Sequence, residues 1–230
     1  TDWAEGTMEV ASTEYTDADQ WQREMDTIFK SLPILVGVTQ EIPNPGDFRT
    51  LEILGIPLLI TRQKDGSAKV LMNVCTHRGM RLVLEPCTKS TLQCRYHGRT
   101  FDLGGKLRHM PEFEQAIGFP SEADHLHQFP LKRWMGLYFT AMADAPPLPW
   151  TGLEERLGFL APEAFTYDPS RDRDHAVEAN WMLYVDNYLE GFHIPYVHPE
   201  LNQALDHAGY ETETFEGGVL VRVAGENAER

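Results

Sequence analysis

The chain has 230 residues, with 42% apolar types, 24% charged types, and 35 acidic against 20 basic side chains for a formal net charge of -15. That is enough for one large domain or two small ones around a sizeable core, and it excludes a disordered chain and a general nucleic-acid binder, which needs a basic phosphate-contacting surface. The three cysteines exclude a disulfide scaffold and point to a reducing compartment or a metal site.

The first residues, TDWAEGTMEV, have neither a basic n-region nor an apolar core, so no signal peptide is expected. No apolar run approaches the length of about eighteen residues that a membrane span needs, and the cytoplasm is the expected setting. Trp21, Met25, Ile28, Phe29 and Leu32 recur at helical spacing, predicting one amphipathic helix that starts near Thr16 or Asp17 and stops at Pro33. A turn region follows over Glu41 to Phe48. Short strands are then expected at Thr50–Ile53, Leu58–Arg62, Ala68–Asn73, Ser90–Gln93, Arg99–Asp102, Leu126–Leu131 and Trp134–Thr140. Turns are expected at Lys64–Ser67, Gly104-Gly105 and Pro130–Arg133. The chain thus divides into an N-terminal helical segment (1–45), a small all-β domain (46–143) and a third portion (144–230) opened by the proline-rich linker Asp144 to Trp150. In that last portion helices are expected at Leu153–Leu160 and Trp181–Phe192, the second ended or kinked by Pro195. Strands are expected at Asp174–Asn180, Tyr210–Phe215 and Gly218–Val223, the last two joined by a Glu216-Gly217 turn.

Two segments within the β portion carry the strongest chemistry. NVCTHRGMRL holds Cys75 and His77, and LQCRYHGRTFD holds Cys94 and His97. Two thiolates and two imidazoles suit tetrahedral zinc, although zinc modules usually pair cysteine with cysteine. They also suit a Rieske [2Fe–2S] centre, where two cysteines hold one iron and two histidines the other. One Cys and one His per loop favours the second chemistry. Gly79 and Gly98 would let both loops turn tightly, so that backbone N–H groups approach the cluster sulfides. Cys87, between the two segments, is expected to be a small buried hydrophobe.

A second set lies in NWMLYVDNYLEGFHIPYVHPEL. On one continuous helix Asp186, Glu190 and His193 share a face, with Asn187 beside them. His198, five residues beyond His193, would be rotated by about 140° on an undisturbed helix, and Pro195 lets it fold back. Two histidines and a carboxylate are the ligand set of non-haem Fe(II), which keeps open positions for oxygen and substrate.

With these motifs the chain resembles the alpha (catalytic) subunit of the Rieske non-haem iron ring-hydroxylating oxygenases, from the helix before Pro33 to its end. The implied fold is α+β, a small all-β Rieske domain inserted in or preceding a helix-grip, START-like catalytic domain that is incomplete here. The resemblance implies Cys75, His77, Cys94 and His97 as ligands of a [2Fe–2S] cluster, with the histidines on the solvent side. Rieske proteins of respiratory complexes usually add a second cysteine to each box, and Tyr96 and Arg78-Gly79-Met80 stand there instead. Arg99 occupies a position where many oxygenases have tryptophan, and its effect is expected to be local and away from the ligands.

The resemblance further implies His193 and His198 as ligands of mononuclear Fe(II). Glu190 matches a carboxylate, usually aspartate, that links a mononuclear-site histidine to a cluster histidine of the neighbouring subunit. Asn187 matches an asparagine often found near the iron, and Asp186 is a candidate for the same network. The family's third iron ligand is an aspartate far downstream, expected beyond Arg230; Asp206 is expected to be a surface acid. The wording around DNYLEGFHIPYVH is nearer to the branch containing choline monooxygenase and related alkyl-amine oxygenases than to the naphthalene and biphenyl dioxygenases.

The implied function is an oxygenase component. Electrons from NAD(P)H arrive through a separate reductase, with or without a ferredoxin, and pass from the cluster to Fe(II). Activated O2 then hydroxylates or oxidatively dealkylates a small organic substrate, aromatic or alkyl-amine. The expected assembly is a head-to-tail homotrimer, with no nucleic acid or membrane partner. The alternative is a Rieske-type electron carrier without a functional mononuclear site, which would end near residue 145 and need neither His193 nor His198.

Overall fold

The computed structural model describes residues 10–113, 115–142, 150–161 and 165–225. A single turn, α1 (Thr13–Thr16), precedes α2 (Ala18–Glu24). Asp17 is extended and accepts the Gln20 N–H at 2.8 Å, satisfying one of the free donors that begin a helix. At Met25 the helix passes into a π-helix that ends at Phe29, so the single α-helix expected to reach Leu32 is interrupted and shorter.

The chain forms two compact units. The larger is all-β. Strand β1 (Ile34–Val38) was not expected; it lies in what reads as the helical segment, because ILVGV follows Pro33 directly. Next come β2 (Asp47–Ile53), β3 (Ile56–Arg62), β4 (Ala68–Met72), β5 (Cys87–Thr88), β6 (Thr91–Gln93), β7 (Thr100–Asp102), β8 (Leu107–His109), β9 (Gln128–Phe129), β10 (Leu131–Trp134) and β11 (Leu137–Thr140). Three antiparallel sheets result, in the orders β5-β2-β3-β4-β9, β1-β11-β10 and β6-β7-β8.

Strand β3 explains the architecture. Leu58, Leu59, Ile60 and Thr61 are all buried, so this strand is covered on both faces rather than one. Leu58 and Ile60 join Val70, Val36 and Tyr138 in one core, and Leu59 joins Leu71, Leu92, Phe101 and Leu107 in the other. Thr61 is accommodated there because its hydroxyl donates to the Leu103 carbonyl at 2.8 Å. Cys75 and Cys94 belong to the second core.

The turn expected at Pro130–Arg133 is instead strand β10, and the chain reverses at Met135-Gly136, where Trp134 pairs with Leu137. Both turn residues have positive φ, 48° and 78°, as a tight two-residue hairpin requires. Methionine is an unusual residue there, which hid the turn. Cys87 is exposed on the short edge strand β5 rather than buried. The segment 165–171 also belongs to this unit: Gln40 donates to the Phe165 carbonyl at 2.6 Å and accepts the Tyr167 N–H at 2.7 Å. The expected boundary at 143 and the linker residues 144–149 lie outside the described residues.

The second unit contains α1, α2, α3 (Trp150–Leu157), α4 (Trp181–Leu189), α5 (Ile194–Val197) and α6 (Pro199–Ala204). The hairpin β12 (Leu205–Phe215) and β13 (Gly218–Gly225) completes it. The Glu216-Gly217 turn forms as expected, with Phe215 paired to Gly218. Helix α3 docks on the hairpin through Arg156, which donates to Glu213 at 2.8 Å and lies over the Phe215 ring at 4.1 Å. Glu24 on α2 is buried and accepts the Trp181 indole N–H at 2.8 Å. No strand forms at Asp174–Asn180: the segment is largely exposed and finds no ladder partner among the described residues.

Candidate metal centres

The Cys75 and Cys94 loops close in the same way. The Cys75 N–H donates to the Met80 carbonyl at 2.8 Å, and the Gly79 N–H donates back to the Cys75 carbonyl at 3.0 Å. In the other loop the Cys94 N–H donates to the Arg99 carbonyl at 2.8 Å, and Gly98 donates to the Cys94 carbonyl at 3.0 Å. Each glycine is four residues after its cysteine, and their φ values of 71° and 73° explain the residue type. The first loop leaves β4 of the five-stranded sheet, and the second joins β6 to β7.

Both thiols are buried, while His97 is exposed and His77 is half-buried. The two imidazoles meet edge to face with centroids 4.7 Å apart, and the exposed Tyr96 ring lies 3.9 Å from His97. Burial pushes the Cys75 thiol up, opposed by the His77 backbone N–H and reinforced by the adjacent Cys94 thiol. Burial also holds His77 below its ordinary value, helped by electrostatic repulsion from His97, Arg99 and Arg78. His77 Nδ1 is buried and has no hydrogen-bond partner among the described residues. Two adjacent buried thiols and an imidazole nitrogen with a free bonding position fit a metal cluster, whose cations would offset the cost of burying thiolates.

Three residues that the sequence reading passed over hold these loops. Asn73, buried just before the first loop, donates to the Val83 carbonyl at 2.8 Å and accepts the Val83 N–H at 3.0 Å. Thr76, between Cys75 and His77, donates to the Asp124 carbonyl at 2.8 Å. Asp124 accepts from the Ser121 N–H and hydroxyl at 2.9 and 2.8 Å. Arg99 joins them: it donates to Thr76 Oγ1 at 2.8 Å and to Asp124 at 3.0 Å. Arg99 is thus buried in a polar network that spans both loops. The S-E-A-D capping pattern at Ser121 was the available signal for Asp124.

In the second unit, α4 ends at Leu189, and Glu190 is extended at φ -121° and ψ 149°. The shared helical face of Asp186, Glu190 and His193 is therefore not what brings residues together here. A turn at Phe192-His193 does so, with the Glu190 carboxylate accepting the Phe192 N–H at 2.6 Å and the His193 N–H at 3.3 Å. The same carboxylate makes a short hydrogen bond to His193 Nδ1. That bond, before the backbone donors, holds Glu190 below the usual carboxylate range. Helix α5 turns the chain from His193 to His198, with Pro195 near its start, and the two rings stand 5.2 Å apart at 76°.

A cavity of about 470 Å³ opens on these residues, with Asn187, Glu190, His193 and His198 on one side and Tyr210, Val219 and Val221 on the other. Asp186 does not line it; its carboxylate accepts from the Tyr15 hydroxyl at 2.7 Å. Among the described residues, no three His, Cys, Asp or Glu side chains converge as ligands of a single ion. The side chain of Asp206 is outside the described set. Two imidazoles, one oriented by a carboxylate, fit part of a non-haem Fe(II) ligand set.

Residues 33–130 match the Rieske [2Fe–2S] domain, and residues 162–227 match the ring-hydroxylating alpha subunit catalytic domain. The carnitine monooxygenase oxygenase subunit of Escherichia coli (strain K12) is 30% identical over 83% of this chain and 52% of its own length. The chloroplastic choline monooxygenase of Amaranthus tricolor is 29% identical over 93% of this chain and 50% of its own. A crystal structure of a quaternary ammonium Rieske monooxygenase superposes with a TM-score of 0.80 at 25% identity, covering 94% of this chain and 61% of that one. The chain spans about half the length of these two sequence relatives. With both domain types in the expected order, the chain belongs to the Rieske non-haem iron ring-hydroxylating oxygenase alpha subunits, in the branch that includes choline monooxygenase.

Proposed function

We propose that the chain serves an oxygenase component acting on a small alkyl-amine substrate. Cys75 and Cys94 would hold one iron of the [2Fe–2S] cluster and His77 and His97 the other, with His193 and His198 holding a mononuclear Fe(II). When bound, the cluster supplies single electrons and the Fe(II) supplies dioxygen activation. Glu190 keeps the proton on His193 Nδ1 and leaves Nε2 free as a ligand. Asn187 borders the same space, and the valines of β13 limit water at its far wall. The observation that carries this reading is a histidine pair, one ring held by a carboxylate, opening on a cavity, which an electron carrier would not need.

The cavity lining supports this substrate class. Among the described residues that line it there is no lysine or arginine, whereas Glu190, Tyr188 and Tyr210 are present. Carboxylate and aromatic faces suit a cationic amine better than an aromatic acid. The relatives described as carnitine and choline monooxygenases support the same class. NAD(P)H acting through a separate reductase, with or without a ferredoxin, a homotrimeric assembly and a cytoplasmic setting complete the proposal. No helix among the described residues is long and apolar enough to cross a membrane.

The test is product formation by the full-length subunit with a reductase and NADH, comparing quaternary ammonium compounds with aromatic acids. The expected result is amine-dependent O2 uptake with an oxidised product, abolished in His193→Ala while the cluster spectrum is retained. Turnover of aromatic acids alone would overturn the substrate class. Full activity in His193→Ala would overturn the site.

A further inference from the structure

Arg99 and Met80 occupy equivalent places in the two metal loops. Each is five residues after its cysteine, and its carbonyl accepts that cysteine's N–H at 2.8 Å. Met80 is 42% exposed, whereas Arg99 is 6% exposed. The symmetry of the backbone is therefore broken by one buried cation. Arg99 donates to Thr76 Oγ1 and to Asp124, contacts Met110 Sδ at 3.2 Å, and lies 5.4 Å from the Phe119 ring centre. Thr76 is covalently bonded to both Cys75 and His77. The guanidinium thus lies one hydrogen bond from the first metal loop, and its own backbone closes the second.

A packing role alone does not require arginine. Burying a guanidinium carries a desolvation cost that an apolar side chain of similar volume avoids. What arginine adds is a charge that does not titrate, held where the low local dielectric strengthens its field. Its counter-ion is less buried, at 20% against 7% for the side chains, so water screens Asp124 more than Arg99.

We propose that Arg99 is a positioning residue whose buried positive charge sets a raised reduction potential for the cluster, with Asp124 as its partial counterweight. This deepens the proposed function and rests on Cys75, His77, Cys94 and His97 being the cluster ligands. Reduction adds one electron and transfers no atom, so it adds one negative charge beside Arg99. A fixed cation stabilises that state, and a carboxylate opposes it.

The test is a mediated electrochemical titration of the cluster-loaded protein, read by its visible and EPR spectra. Arg99→Met is expected to lower the potential, disfavouring reduction about tenfold, or about 59 mV for one electron. Arg99→Lys is expected to recover most of that shift. Asp124→Asn, which keeps the cation and removes its counter-ion, is expected to move the potential upward. Unchanged potentials, or shifts of the same sign in Arg99→Met and Asp124→Asn, would overturn the inference while leaving the cluster assignment intact. If Arg99→Met fails to retain a cluster, the upward shift in Asp124→Asn decides the matter. A wild-type protein with no Rieske spectrum would remove the underlying reading and this inference with it.

Discussion

Asn73 and Asp124 show how ordinary side chains make the metal loops possible. Asn73 answers both backbone groups of Val83 from a buried position. Asn73→Leu leaves those groups unpaired, and the expected loss is on the order of 2–4 kcal/mol in chemical denaturation, with faster release of the cluster. Asp124 is held below the ordinary carboxylate range, chiefly by the Ser121 backbone N–H and then by the Ser121 hydroxyl and Arg99. Because its folded pKa is depressed, its stabilisation is present above the unfolded value of about 3.9 and is lost as pH falls through the folded value. Thermal melts across acid pH are expected to show wild type more stable than Asp124→Asn above about pH 4, with the gap closing below it. The cluster-ligand candidates were legible in the sequence because few residue types bind iron. Asn73 and Thr76 were not, since their partners lie further along the chain and their residue types serve many purposes, whereas Asp124 left only its capping pattern with Ser121.

At the scale of elements, the loops depend on turns that only some residues permit. Gly79 and Gly98 share a positive φ, so alanine at either costs about 1 kcal/mol in backbone strain. A side chain at Gly98 would also meet Pro111 at 3.1 Å, whereas Gly79 faces open space. Gly98→Ala is therefore expected to lower the unfolding midpoint and cluster occupancy more than Gly79→Ala, as denaturation and iron content would show. The turn after α4 has a different constraint. A Cβ on Gly191 would lie 2.5 Å from the Tyr210 ring, in the wall of the cavity. Gly191→Ala is expected to displace Tyr210, disturb the Glu190–His193 contact and reduce mononuclear iron content without altering the cluster spectrum. Most strands of the β unit could be read from apolar runs between turn residues. The early end of α4 could not, because apolar periodicity continues through YLEGF and the reason for Gly191 lies on β12. The missing strand at Asp174–Asn180 has a related cause: apolar content alone supplies no ladder partner.

At the scale of the whole molecule, the chain forms two compact units, and both clusters of buried apolar residues lie in the β unit. The β unit buries the thiols of the Cys75 and Cys94 loops within one of its own cores, so it is expected to bind its cluster whatever happens at His193 and His198. In the double variant His193→Ala/His198→Ala, iron analysis is expected to fall from three to two per chain relative to the iron-loaded full-length subunit, with the cluster spectrum retained. The family was legible because both motif sets occur in one chain, in the same order as the two matched domains. The cavity beside His193 and His198 was not, since it brings together α4, α5, α6 and both strands of the hairpin, whose apolar residues read in sequence as ordinary core.

Pulsed EPR of the chemically reduced protein, with nitrogen-15 incorporated at histidine, tests the cluster ligation most directly. The expected result is one [2Fe–2S] signal coupled to two histidine nitrogens, lost in Cys94→Ala and converted to a single coupling or abolished in His97→Ala. An EPR-silent protein carrying one zinc per chain, or a cluster signal with no histidine coupling, would contradict it.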